Sequence, residues 1–135
     1  MPEYTLPELE EAARRWWRTL GVGSVVWLSG DLGAGKTALV QALARAAGAE
    51  PARSPSFALV HEYHSPEGPL IHVDCYRLRR PEEALDLDLT ALAARSRLLL
   101  IEWPERAGAL APAPDLHLRL KHVERPDRRS VEQVP

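Results

Sequence analysis

The sequence predicts an α/β three-layer sandwich, with a mixed, mainly parallel sheet flanked by helices and antiparallel strands at its sides. Three observations predict it. A short strand-like run, Ser24–Ser29, passes through a glycine-rich turn, Gly30–Thr37, directly into an amphipathic stretch, Ala38–Ala47. A second apolar run, Leu98–Ile101, is the most continuous in the chain and suits a parallel strand buried on both faces. The β-forming segments Phe57–His64, Leu70–Tyr76, Leu116–Leu120 and Arg129–Val134 are separated by turn residues and suit antiparallel neighbours.

Each element has a local reason. Thr5-Leu6-Pro7-Glu8 carries the signature of a helix start, with Thr5 as N-cap, Glu8 as its capping-box partner and Pro7 tolerated in the first turn. The helix runs to about Leu20. Leu9, Ala13, Trp16, Trp17 and Leu20 share its apolar face, and the spacing predicts outer pairs Glu10–Arg14 and Glu11–Arg15. In the next helix Leu39, Val40, Leu43 and Ala47 form the stripe, and Gly48 is the stop signal. Pro51–Ser56 reads as a proline-stiffened loop. Phe57–His64 and Leu70–Tyr76 form a hairpin about the turn Ser65–Pro69. Pro81–Arg95 reads as helix, with an irregular segment as the lesser alternative where Leu85-Asp86-Leu87-Asp88-Leu89 alternates. Arg97–Trp103 is the central strand, and Pro104–Gly108 is a short turn or helix. Leu116–Leu120 alternates as a half-exposed strand, paired with Arg129–Val134 across Glu124–Asp127.

Gly30-Asp31-Leu32-Gly33-Ala34-Gly35-Lys36-Thr37 fits G-x-x-x-x-G-K-[ST] at every fixed position. Glycines let backbone N–H groups turn inward around a polyphosphate. Lys36 offers a point charge to the β- and γ-phosphates, Thr37 offers a hard oxygen to Mg²⁺, and the helix adds its positive end. The expected nucleotide contacts are Asp31, Leu32, Gly33, Ala34, Gly35, Lys36, Thr37 and Ala38, and the fold is expected to be P-loop NTPase-like.

Composition narrows the function classes. The 135 residues suffice for one domain, 1–135, with no separate substrate domain. Seventeen Lys and Arg against nineteen Asp and Glu give a net charge of −2, so bulk charge does not steer the chain onto nucleic acid. The basic groups Arg77, Arg79, Arg80 and Arg125, Arg128, Arg129 read as solvated surface. One cysteine, Cys75, excludes an internal disulfide framework and fits a reducing cytosol. No apolar run reaches the ~18 residues of a membrane span, and the first residues lack the basic start of an export signal.

Chemistry beyond binding needs an acid near the metal. Leu98–Ile101 ends in Glu102, at the carboxyl end of a buried strand where open α/β sheets place their ligands, so Glu102 is assigned to Mg²⁺, directly or through water. On Leu70–Tyr76, alternation sends Ile71, Val73 and Cys75 to the core and His72, Asp74 and Tyr76 to the other face. Asp74 there suits orienting a water, sensing the γ-phosphate, or simply facing solvent. His61-x-x-His64 and His72-x-x-Cys75 have zinc-ligand spacing, but residues three apart on a regular strand point oppositely, so gathering all four needs distortion. His117 and His122 have no partner pattern.

Four segments in this order carry a resemblance: Leu28–Thr37, Ser54-Pro55-Ser56-Phe57-Ala58-Leu59-Val60, His72-Val73-Asp74-Cys75-Tyr76-Arg77-Leu78 and Ile101-Glu102-Trp103-Pro104-Glu105-Arg106. Over about residues 5 to 131 the chain closely resembles the bacterial TsaE (YjeE) family, the ATPase of tRNA threonylcarbamoyladenosine biosynthesis. The resemblance implies a cytoplasmic, Mg²⁺-dependent enzyme that binds ATP and ADP. It would work with TsaB and TsaD, which modify adenosine 37 of tRNA, touching tRNA only through that complex and neither DNA nor membrane. It implies a first switch at Ser54, Pro55 and Ser56, a second at Asp74, Tyr76 and Arg77, a metal-side carboxylate at Glu102 beside Trp103, and nucleotide proximity for Thr5 and Glu8. The catalytic set is then Lys36, Asp74 and Glu102, with Thr37 and Glu102 on the metal. Two positions depart from the family pattern: Ser56 stands for a commoner threonine, and Asp88 for a commoner glycine. A small-molecule kinase on the same scaffold is the alternative, though little sequence is left for a lid and an acceptor pocket. A GTP switch lacks its guanine-reading motif, and a binding module without hydrolysis stays open because glutamate is an unusual second acid.

Overall fold

The apolar runs come together as one sheet in the computed structural model, which describes residues 3–30, 36–51, 60–121, 123–124 and 128–135. In chain order the elements are β1 (Glu3–Thr5), α1 (Leu6–Thr19), β2 (Ser24–Gly30), α2 (Lys36–Ala47), β3 (Glu50–Pro51), β4 (Val60–Ser65), β5 (Gly68–Asp74), α3 (Leu89–Arg95), β6 (Leu98–Glu102), β7 (Leu116–Lys121) and β8 (Arg128–Val134). Among the described residues the strands make an eight-stranded sheet in the order β1-β8-β7-β2-β6-β5-β4-β3. The central strands β7, β2, β6 and β5 are parallel. Every pairing outward from them is antiparallel, giving the mixed sheet with antiparallel sides that the sequence predicts. Of the strand expected at Phe57–His64, Val60–His64 is seen in β4, and 57–59 lie outside the described residues.

Continuous apolar composition makes β6 a strand covered on both faces, and all five of its residues are buried. Leu98 and Leu100 join Leu9, Trp17, Leu39 and Leu43 in a core under α1 and α2. Leu99 and Ile101 join Ile71, Val73, Cys75 and Leu89 in a second core on the opposite face. The sheet is therefore the middle layer of three. Leu100→Ala removes a fully buried side chain from that layer, and we expect a loss of about 2–5 kcal/mol in urea-induced unfolding.

α1 carries both halves of its capping box: Glu8 N–H donates to Thr5 Oγ1 (3.3 Å), and Thr5 N–H donates to Glu8 Oε1 (2.9 Å). The donation from the Thr5 backbone, followed by that from its hydroxyl, holds the Glu8 carboxyl below the usual range. The outer charges of α1 pair differently from the spacing rule. Glu11 binds Arg14 (2.6 Å) one turn on, and Glu10 reaches across to Arg45 of α2 (2.7 Å). Packing of α1 on α2 offers Glu10 an interhelical partner, and Arg14 has only one guanidinium to give. Arg97, buried at the start of β6, stacks on Trp17 (4.3 Å) and donates to the Trp17 carbonyl (2.8 Å), fastening the end of α1 to the sheet.

The continuous helix expected over Pro81–Arg95 is instead a 3-10 segment, Pro81–Leu87, followed by α3. The break is Asp88, in the left-handed region (φ 47, ψ 67), where its carboxylate caps α3 by accepting from Ala91 N–H (3.3 Å). A left-handed backbone is where glycine is ordinarily favoured and Asp is tolerated, because its short side chain bonds locally.

Candidate functional site

Strand alternation and register bring the predicted acids together. Leu98 and Leu100 face α2, so Glu102, two residues on, emerges on the same side at the end of β6. Register sets Glu102 beside Leu28 of β2 and Asp74 of β5. By the same alternation Leu70, His72 and Asp74 share that face. The carboxyl ends of β2, β6 and β5 thus form one ledge, and α2 starts above it with Lys36 and Thr37.

Glu102 is 7% exposed, so its carboxylate is largely withdrawn from solvent. Its carbonyl accepts from Cys75 N–H (3.0 Å), and its Oε1 lies 3.5 Å from His72 Nε2. Asp74 is half-buried and uses Oδ1 to accept from Tyr76 N–H (3.0 Å), pinning the turn after β5. Lys36 is buried, and its Nζ donates to the Gly30 carbonyl (2.6 Å) from a point 4.8 Å above the Trp103 ring. Trp103 is left-handed (φ 56), turning the chain sharply after β6 so that its ring meets Tyr76 at 5.2 Å. Thr37 is exposed on the first turn of α2, and Ala38 beside it is half-buried.

Gly30 ends β2 at φ 139, and a Cβ there would lie 2.3 Å from the Leu120 carbonyl. Glycine is needed here for the close approach of β7 as well as for the turn that follows. Asp31, Leu32, Gly33, Ala34 and Gly35 lie outside the described residues, as do Ser54, Pro55 and Ser56. Thr5 ends β1 at the same end of the sheet, three strands from β2, with its hydroxyl donating to Glu8 Oε1 (2.9 Å). Tyr76 and Arg77 are exposed just beyond β5.

The histidine and cysteine spacing resolves by face. Cys75 sits in the core opposite His72, where burial, then the Asp74 and Glu105 charges, push its thiol up to about 11. His72 stacks on His61 of β4 with ring centroids 5.8 Å apart, and His64 is exposed. Among the described residues no three His, Cys, Asp or Glu gather to hold a metal ion. Nor is any helix among them long and apolar enough to cross a membrane.

Three features escape a linear reading. Ser29 Oγ and His117 Nε2 meet at 2.6 Å although 88 positions apart, because β7 lies against β2. Burial, then the neighbouring Arg119 charge, hold the His117 pKa below the usual imidazole value. A cleft of about 310 Å³ opens beside Gly30, lined by Trp103, Glu105, Arg119, Leu120 and Lys121. The third is the approach of His72 to Glu102. Two histidines and an acid on three different strands carry no motif.

Comparison with known proteins agrees with the resemblance. Residues 4–131 match the family model described as threonylcarbamoyl adenosine biosynthesis protein TsaE. A tRNA threonylcarbamoyladenosine biosynthesis protein TsaE from Nostoc sp. is 46% identical over 93 residues, 65% of this chain and 57% of that relative. The protein of the same name from Rickettsia bellii is 35% identical over 119 residues, 87% of this chain and 82% of that one. The crystal structure of Bacillus subtilis YdiB superposes with a TM-score of 0.73 at 26% identity, covering 96% of this chain and 82% of the other. A family match across nearly the whole chain, on a fold shared with a solved structure, places this protein in the TsaE family of threonylcarbamoyl adenosine biosynthesis proteins.

Proposed function

We propose that the chain is a single-domain, Mg²⁺-dependent ATPase that binds and slowly hydrolyses ATP to drive or reset a cytoplasmic TsaB–TsaD complex making N6-threonylcarbamoyladenosine at position 37 of tRNA. The observation that carries the reading is the shared ledge: Lys36 and Glu102 belong to adjacent elements at the carboxyl ends of β2 and β6. The donor set fits Mg²⁺. Thr37 and Glu102 are hard oxygen ligands of the kind this ion takes, one or two from protein with the rest from phosphate and water. The buried His72 Nε2, which lacks a hydrogen-bond partner among the described residues, lies beside that carboxylate. When bound, the metal would neutralise charge on the phosphate oxygens.

The remaining work falls to the chain. The N–H groups of the glycine-rich loop and of the first turn of α2 bind the phosphates. Lys36 leaves the Gly30 carbonyl for a phosphate oxygen, a stronger charge-assisted partner. Asp74, its Oδ1 held by the Tyr76 N–H, keeps its other oxygen for the attacking water. The test is the ATPase rate of the purified chain with and without TsaB and TsaD homologues. Weak hydrolysis alone and a clear rise with the pair is the expected result. No stimulation, or turnover only with an added phosphate acceptor, would overturn the reading.

A further inference from the structure

His72 is a half-hidden polar side chain on the ledge face of β5. Its side chain is 13% exposed, and Nε2 has no hydrogen-bond partner among the described residues. An unsatisfied buried ring nitrogen carries a desolvation penalty, so the site keeps it at a cost in stability. The nearest acceptor is Glu102 Oε1 at 3.5 Å, just beyond the ~2.9 Å of a good N–H···O bond. The ring cannot drift freely, because His61, opposite it in the β4–β5 register, stacks on its face with an interplanar angle of 27°. Its strand is fixed to β6 by the pairing His72↔Leu100, so the imidazole reaches diagonally to the carboxylate two residues on.

We propose that His72 is a positioning residue for Glu102: its Nε2–H closes on Oε1, fixes the carboxylate rotamer and leaves Oε2 facing the metal side of the ledge. The proposal rests on Glu102 being the metal-side carboxylate. An oxygen ligand held by an outer hydrogen bond binds its ion more tightly, and loss of such a partner typically costs about 10–100-fold in metal affinity. His61 supplies the packing that keeps the donor aimed.

The readout is metal-linked binding, not turnover: the affinity for a fluorescent ADP analogue with MgCl₂ divided by the affinity in EDTA. His72→Phe keeps a ring for His61 but removes the donor, and His72→Gln restores a donor at similar reach. The Phe variant is expected to lower the ratio by about tenfold or more, with affinity in EDTA close to that of the parent protein and Gln recovering much of the loss. A Phe variant with the parent ratio would overturn the proposal and leave His72 a packing ring. Glu102→Gln, measured alongside, separates the two levels. If it leaves the ratio unchanged, the metal role of Glu102 fails and the proposal with it. If it lowers the ratio while both His72 variants do not, only the proposal fails. Thermal melts of each variant verify that the fold is intact.

Discussion

Lys36→Ala is expected to lose nucleotide binding by at least about 30-fold. Removing one partner of a desolvated charge pair costs roughly 2–5 kcal/mol or more, and 2 kcal/mol is already a factor near 30. The side chain is well placed for such an effect. It is 7% exposed, so its charge is little screened by water, and its contacts include the Gly30 carbonyl and the Trp103 face. Both are weaker partners for an ammonium than a polyphosphate is. The same burial means that truncation also leaves a gap beneath Trp103, so Lys36→Met, which fills that space without charge, is the companion variant. Calorimetric titration with ADP checks both. Loss in both variants with preserved melting temperature supports a charge role, whereas near-parent affinity for Met would refute it.

Glu102→Ala is expected to keep nucleotide binding measured in EDTA and to lose Mg²⁺-dependent turnover by at least about a hundredfold, or ~3 kcal/mol, within the several kcal/mol that a bound metal contributes to a transition state. The distinction from Lys36 is geometric. Glu102 sits on β6, one strand away from the strand that feeds the loop, so it can be removed without disturbing the loop. Its backbone bond with Cys75 N–H survives the substitution. Hydrolysis measured over a range of MgCl₂ is the check, and unchanged turnover would sink the metal assignment.

Much of this layout was legible in the sequence for specific reasons. Leu98–Ile101 has no polar interruption, so only a strand covered on both faces suits it, and Glu102 then had to stand at its end. The Thr5 and Glu8 cap is local, and local hydrogen bonds are readable from spacing alone. Non-local contacts were not. β1 is three residues long and exists through pairing with β8, whose own residues come more than a hundred positions later. Glu10 chose Arg45 over Arg14 because helix packing outbid helix spacing. Leu85–Leu89 alternates, yet the deciding fact was the left-handed backbone at Asp88, which alternation does not encode. In the site, His72 and Asp74 were seen as the face away from the Ile71–Cys75 core. That this second face is itself covered, with Leu70 fully buried below them, needed the position of α1 and α2.

The placement of β2 has a consequence for how the protein comes into being. Its two sheet neighbours are β6 and β7, which pair with it through Leu98–Glu102 and Leu116–Leu120. During synthesis the glycine-rich loop therefore emerges on a strand that has neither of its sheet neighbours to pair with. At about 5–20 residues per second, the ribosome needs roughly 4–14 seconds to deliver the next ~70 residues and the first of those neighbours. The ledge assigned to the nucleotide under the proposed function is unfinished until then. The segment that looks most self-contained on paper is among the last to acquire its sheet neighbours.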